Sequence, residues 1–179
     1  METILIVPGL HNSGPTHWQS WFENTLPATR RVEQVDWERP GLSEWSERVC
    51  AAIAEQNDPV WIIAHSFGCL AAAHAGFVSG NRIRAALLVA PADPARFGEP
   101  AALLEKRLAF PSLVVASRSD PWVKTSIAEH WANVWGSRYR NIGDAGHINV
   151  DAGYGPWPEG LAFFQELRQE VQLAVHRQS

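Results

Sequence analysis

A serine hydroxyl is a poor nucleophile until a base takes its proton, and that base needs an acid to hold its tautomer. The chain offers such a set in the order Ser66, Asp120, His147. Ser66 lies in Ala64-His65-Ser66-Phe67-Gly68, after an apolar run and before a small-residue helical pattern. A strand, a sharp turn with serine at its tip and a helix make the context of a nucleophile elbow. The usual first residue of that pattern is glycine. Ala64 replaces it here, and with Gly68 it keeps both flanks of the strained turn small. The competing reading of Ser66 is an ordinary helix N-cap. Asp120 precedes Pro121 in Ser117-Arg118-Ser119-Asp120-Pro121-Trp122, and the proline holds it out of the helical region. His147 closes Gly143-Asp144-Ala145-Gly146-His147, a glycine-flanked loop able to lay an imidazole over the elbow. Taken singly, Asp120 is a turn former and His147 a loop histidine. Together with Ser66 they are expected to be nucleophile (Ser66), base (His147) and orienting acid (Asp120). Asp93, in Ala90-Pro91-Ala92-Asp93-Pro94, is the rival acid; Asp144, so close to His147, is expected to shape the loop.

Acyl transfer also needs donors where negative charge develops. The loop Pro8-Gly9-Leu10-His11-Asn12-Ser13-Gly14-Pro15-Thr16 is expected to supply the backbone N–H of Leu10, beside that of Phe67. Gly9, Gly14 and Thr16 also approach a phosphate-binding loop, but Pro15 stands where the lysine belongs, which speaks against an NTPase. The histidines show no metal-binding spacing; His11, His17, His65, His74, His130 and His176 are scattered, so no metal and no cofactor are expected. Cys69, on the helix after Ser66, reads as a buried structural thiol. Nine tryptophans mostly mean packing, yet Trp18, Trp122 and Trp157 follow the three candidate loops. With His11 they are the expected pocket residues.

These side chains need a scaffold. Apolar runs predict strands over Ile4–Val7, Arg31–Val35, Val60–Ala64, Ala85–Val89, Leu113–Ala116 and Tyr139–Ile142, the second and last at the edges. Helices are predicted from an N-cap at Ser43 with Trp45, Val49, Ile53 and Gln56 on one face, after Ser66, over Val123–Trp135, and from Pro158 towards Val175. Alternating strands and helices imply right-handed crossovers and an α/β doubly wound parallel sheet of order 2-1-3-4-5-6. Ligands of such sheets lie beyond the strand C-termini, where the three residues fall. One domain, 1–179, is expected, with no large cap, because the longest connection runs only from Asp93 to Leu108.

Composition narrows the classes. The 179 residues are 46% hydrophobic and 19% charged, an ordinary globular balance. With 15 basic residues against 19 acidic ones and no basic cluster, no nucleic-acid partner is expected. Two cysteines make no disulfide framework, the N-terminus lacks a basic leader, and the small-residue run Phe67–Val78 is broken by His74. A cytoplasmic protein with no membrane partner is the expectation.

The chain resembles the small serine hydrolases typified by retinoblastoma-binding protein 9, which include bacterial esterases of the α/β-hydrolase fold. The blocks that carry it are Val7-Pro8-Gly9-Leu10, Ser13-Gly14-Pro15-Thr16-His17-Trp18-Gln19, Ala64-His65-Ser66-Phe67-Gly68-Cys69 and Ala116-Ser117-Arg118-Ser119-Asp120-Pro121. Two more follow: Gly146-His147-Ile148-Asn149 and Gly155-Pro156-Trp157-Pro158-Glu159-Gly160. The resemblance implies a triad on Ser66, Asp120 and His147 in a compact fold. Bacterial relatives often carry leucine after the serine; Phe67 here is expected to narrow the pocket mouth. The expected substrate is a small ester or amide. The alternative is a hydrolase-fold module that binds a protein partner without needing catalysis.

Overall fold

The computed structural model describes residues 2–177. Its frame is a six-stranded, all-parallel sheet of order β2-β1-β3-β4-β5-β6. The strands are β1 (Ile4–Val7), β2 (Thr29–Arg31), β3 (Val60–His65), β4 (Ile83–Val89), β5 (Ser112–Ala116) and β6 (Arg138–Asn141). Four helices cross between them, α1 (Trp18–Thr25), α2 (Leu42–Ala54), α3 (Phe67–Ser79) and α4 (Thr125–Trp135), and α5 (Pro158–His176) follows the last strand. Strand order and fold class agree with expectation.

Both faces of the sheet are covered, and period-two alternation divides each strand between them. Leu5, Val7, Ile62 and Ala64 pack with Trp45, Val49, Leu70, Trp131 and Trp135 from α2, α3 and α4. Ile4, Ile6, Trp61 and Ile63 face the other way, with Trp18 and Phe22 of α1 and Phe163, Phe164 and Leu167 of α5. Small residues let α3 lie close: a Cβ on Gly76 would come within 2.7 Å of the Phe110 ring.

Several expectations need correction. Strand β2 is Thr29–Arg31, not Arg31–Val35, and Val35 is 82% exposed. The four-residue β1 pairs only with positions 29–31 there, after which Val32 makes one last bond to Ile6 and the chain leaves the sheet. It then runs beside the loop after β1, where Trp37 accepts from the N–H of His11 at 3.0 Å. Helix α2 begins one residue before Ser43 with Gly41 as its cap, because Leu42 belongs to the buried face with Trp45, Ser46, Val49 and Ile53. The Glu99 carboxylate, from a distant loop, accepts the Leu42 N–H at 2.8 Å. Gln56 lies past the end of α2 and holds Thr3 through its side chain. Helix α1 has no counterpart among the predicted elements. The edge strand β6 is shifted by one residue and the helix before it starts at Thr125. The segment from Asp93 to Leu108 is no open loop: it forms short 3-10 turns at Pro94–Phe97 and Ala101–Leu103 and buries Leu104 against Trp135.

Candidate functional site

The chain must turn sharply between β3 and α3, and it does so at Ser66, with φ +55 and ψ −124. A non-glycine residue there stores about 1–3 kcal/mol of strain, which the surrounding structure must hold. Three backbone bonds do this: the Ser66 N–H donates to Val89 at 3.0 Å, and its carbonyl accepts from Cys69 at 3.0 Å and Ala92 at 3.2 Å. The loop after β1 presses from the other side. A Cβ on Gly68 would sit 2.3 Å from the Val7 carbonyl oxygen, and one on Gly9 2.8 Å from the Ser66 Cβ. Gly68 is therefore required by β1 rather than by Ala64, a different partner from the one the pentapeptide implied.

His147 Nε2 lies 2.9 Å from Ser66 Oγ, and its Nδ1 lies 2.8 Å from Asp120 Oδ2. Asp120 Oδ1 accepts the N–H groups of Trp122 and Val123 at 2.8 and 3.2 Å, which aims the carboxylate. An ionised carboxylate only accepts, so Nδ1 carries the ring proton and Nε2 is left to accept from the serine hydroxyl. Asp93 does not take this place: it lines the pocket and accepts from the Ala95 N–H at 3.0 Å. Asp144 pairs with Arg118 in solvent, and that guanidinium holds its carboxyl below the usual range.

The loops carrying Asp120 and His147 are stitched to each other. Ser117 Oγ accepts the Ala145 N–H at 2.9 Å and donates to the Gly143 carbonyl at 3.2 Å. Ser119 Oγ accepts from Gly146 at 3.0 Å. Gly143 and Gly146 have φ +84 and +54, conformations that a glycine adopts without penalty. From beneath, His65 donates Nε2–H to the His147 carbonyl at 3.0 Å, and the Trp18 indole donates to Ile148 at 2.8 Å. None of these four supports is marked by residue type or spacing in the sequence.

On the far side of Ser66, His11 and Asn12 both have φ +64. Arg31 clamps this loop: Nη1 donates to Asn12 Oδ1 at 2.9 Å and to the Ser13 carbonyl, while Nη2 reaches Ser20 Oγ at 2.8 Å and Glu23. Among the described residues, neither the Leu10 nor the Phe67 backbone N–H has an acceptor within the protein.

These elements border a pocket of about 610 Å³ lined by Leu10, Phe97, Trp122, Val123 and Val150, with Ser66 and His147 on its wall. Of the expected pocket residues, His11 and Trp122 line it, the latter 54% exposed. Trp18 and Trp157 do not. They are buried edge-to-face at 5.3 Å, beneath the site, because α1 and α5 need their bulk against the sheet. The Phe67 ring is also turned away from the mouth, packed between Trp45 and Phe97, and Phe97 takes the lining position. Cys69 is buried, which pushes its thiol up well above the usual value. Burial, aided by Arg31, pushes His17 down to about 4, and burial likewise keeps His65 neutral. Among the described residues, no three His, Cys, Asp or Glu side chains gather as they would around a metal, and no helix is long and apolar enough to cross a membrane.

Comparison with known proteins gives a consistent result. The family model for serine hydrolases matches residues 4–166. A solved structure of a protein described as a YdeN-like hydrolase, from Pectobacterium atrosepticum, is 37% identical, covers 96% of this chain and 92% of its own, and superposes with a TM-score of 0.90. The ydeN gene product of B. subtilis is 17% identical over 94% of this chain and 100% of its own, with a TM-score of 0.78. Est1E from Butyrivibrio proteoclasticus, solved with ferulic acid bound, is 12% identical over 98% and 90% of the two chains, with a TM-score of 0.74. The last two share the fold. No curated protein matches.

Proposed function

Because the chain belongs to the serine hydrolase family, we propose that it cleaves small carboxylic esters or amides through an acyl-enzyme on Ser66. The observation that carries this reading is the unbroken relay from Ser66 Oγ through His147 to Asp120, at 2.9 and 2.8 Å. Ser66 Oγ attacks the carbonyl carbon while its proton passes to His147 Nε2. The oxyanion that forms is held by the N–H groups of Leu10 and Phe67, each worth on the order of 3 kcal/mol in the barrier. As the tetrahedral species collapses, His147 gives the proton to the leaving alcohol or amine. A water, deprotonated by the same nitrogen, then releases the acid and restores Ser66. Asp120 stays ionised throughout and stabilises the imidazolium. The chemistry needs no cofactor.

The packed Asp93–Leu108 segment favours a short acyl group, and the apolar side of the pocket, formed by Leu10, Phe97, Trp122, Val123 and Val150, suits a carbon chain or ring better than a charge. The six motif blocks favour a place beside the retinoblastoma-binding-protein-9-like members of the family. Residues 1–179 are read as one catalytic domain acting on a small molecule in the cytoplasm. The first test is intact mass after exposure to a fluorophosphonate, on wild type and Ser66→Ala. One adduct on the wild type, absent from the variant, is expected; well-folded protein without an adduct overturns the reading. A nitrophenyl ester series then gives chain-length preference, and activity rising steadily to long acyl chains would refute the short-acyl assignment.

A further inference from the structure

The geometry points to a role for His17 that rests on the hydrolase reading above: its Nε2–H is a fixed hydrogen-bond donor for a neutral substrate oxygen close to the scissile carbonyl. The tautomer comes from the fold. His17 is the N-cap of α1, and its Nδ1 accepts the Gln19 N–H at 3.1 Å. A backbone N–H can only donate, so Nδ1 holds a lone pair and the proton of the neutral ring sits on Nε2. Among the described residues Nε2 has no partner within the protein, yet it is not sealed in like the buried unpaired nitrogens elsewhere in the fold. The residue as a whole is only 5% exposed, and it is one of those that line the Ser66 pocket.

The ring is also held in place. Its centroid lies 5.0 Å from that of His65 and 5.5 Å from that of Trp18, and His65 lies 5.0 Å from His147. His65 has committed its own Nε2–H to the His147 carbonyl, so of the two buried imidazoles His17 is the one with a proton to offer. Its surroundings keep the ring neutral: burial disfavours the cation, and the Arg31 guanidinium adds to this. It therefore acts as a donor, neither base nor cation, which suits an ether, hydroxyl or carbonyl oxygen better than a carboxylate. A substrate without that oxygen leaves a largely buried N–H unpaired, and such sites discriminate against the analogue that lacks the acceptor.

Isosteric ester pairs test this. On the acyl side, p-nitrophenyl methoxyacetate differs from p-nitrophenyl butyrate by one oxygen in place of a methylene. On the alcohol side, 2-methoxyethyl butyrate and n-butyl butyrate differ in the same way. The variant is His17→Asn, which supplies an N-cap oxygen but has no ring to reach the pocket, with His17→Ser as a second capping variant should the first fold poorly. Taking the wild-type-to-variant ratio within each pair cancels intrinsic reactivity. The expected result is a fall in kcat/KM about 5- to 10-fold larger for the oxygen-bearing member of one pair, the size of one neutral hydrogen bond, and that pair names the side. Equal loss on both members of both pairs leaves His17 a helix cap and overturns the inference. No loss at all overturns it too. Wild type that neither takes the fluorophosphonate on Ser66 nor turns over any ester overturns the hydrolase reading first, and this inference with it.

Discussion

Lowering the pH from 7 to 5 should destabilise this protein by way of two buried imidazoles, and the size of the effect follows from their surroundings. His17 and His65 are both kept neutral in the folded chain, chiefly by burial; His17 is pushed down to about 4 and His65 well below its usual value. An unfolded histidine takes up its proton near pH 6.5. Between about pH 6.5 and 4 the unfolded state thus binds one more proton at residue 17 than the folded state does. Stability is complete above this window and falls as the pH falls through it. At pH 5, roughly 1.5 units below the unfolded value, the loss from His17 alone is about 2 kcal/mol. His65 adds a loss of the same sign. Urea unfolding of wild type and His17→Asn at pH 7 and pH 5 measures the contribution directly. The titrating groups common to both proteins cancel in the difference. The variant should lose about 2 kcal/mol less than wild type between the two pH values. Equal losses would refute the reasoning, because they would mean that His17 takes its proton as easily folded as unfolded.

Three further outcomes follow from the same geometry. Asp120→Asn should leave the fold intact and lower kcat by about 10⁴-fold, since an amide facing Nδ1 favours the wrong tautomer; steady-state kinetics on a nitrophenyl ester check it. Ser66→Gly should abolish fluorophosphonate labelling yet raise the urea midpoint. The strain of about 1–3 kcal/mol at φ +55 exceeds the glycine entropy penalty of about 0.5–1 kcal/mol, leaving a net gain of about 1 kcal/mol. Arg31→Met removes the clamp on Asn12 and Ser13, so the Leu10 N–H loses its aim. A fall in kcat of about 10-fold or more, with KM little changed, is expected, and a variant with wild-type kcat would show that the loop holds itself.

What could be read in the sequence depended on where the signal was local. Strands β1, β3, β4 and β5 are built on apolar runs of four or five residues, and Ser66 and Asp120 could be placed simply by finding where such runs end. Helix α1 escaped because its inner face includes Gln19 and Ser20. Gln19 spans the sheet edge from below, donating to the Val7 and Ile63 carbonyls at 3.3 and 3.2 Å while its Oε1 accepts from Ser13 at 2.6 Å. Buried amides satisfied in this way look like surface residues in a hydropathy pattern. Trp18 and Trp157 were misplaced for the opposite reason: they neighbour site loops in the chain, but their rings turn into the core. The contact of His65 with residue 147 spans 82 positions, and no spacing rule reaches that far.

The separation along the chain between Ser66 and His147 bears on how the protein is made. The strained turn is framed by β1, β3 and the end of β4, so every residue that shapes it has been synthesised once the chain reaches Ala92. His147, its proposed base, comes 81 residues after the serine, on the last strand-to-helix connection. A nascent chain that has reached Ala92 therefore contains every residue of the turn but not the imidazole that lies beside Ser66 in the complete fold. On the proposed mechanism, reactivity toward esters therefore requires the C-terminal third of the chain, which adds β6 and the loop that carries His147.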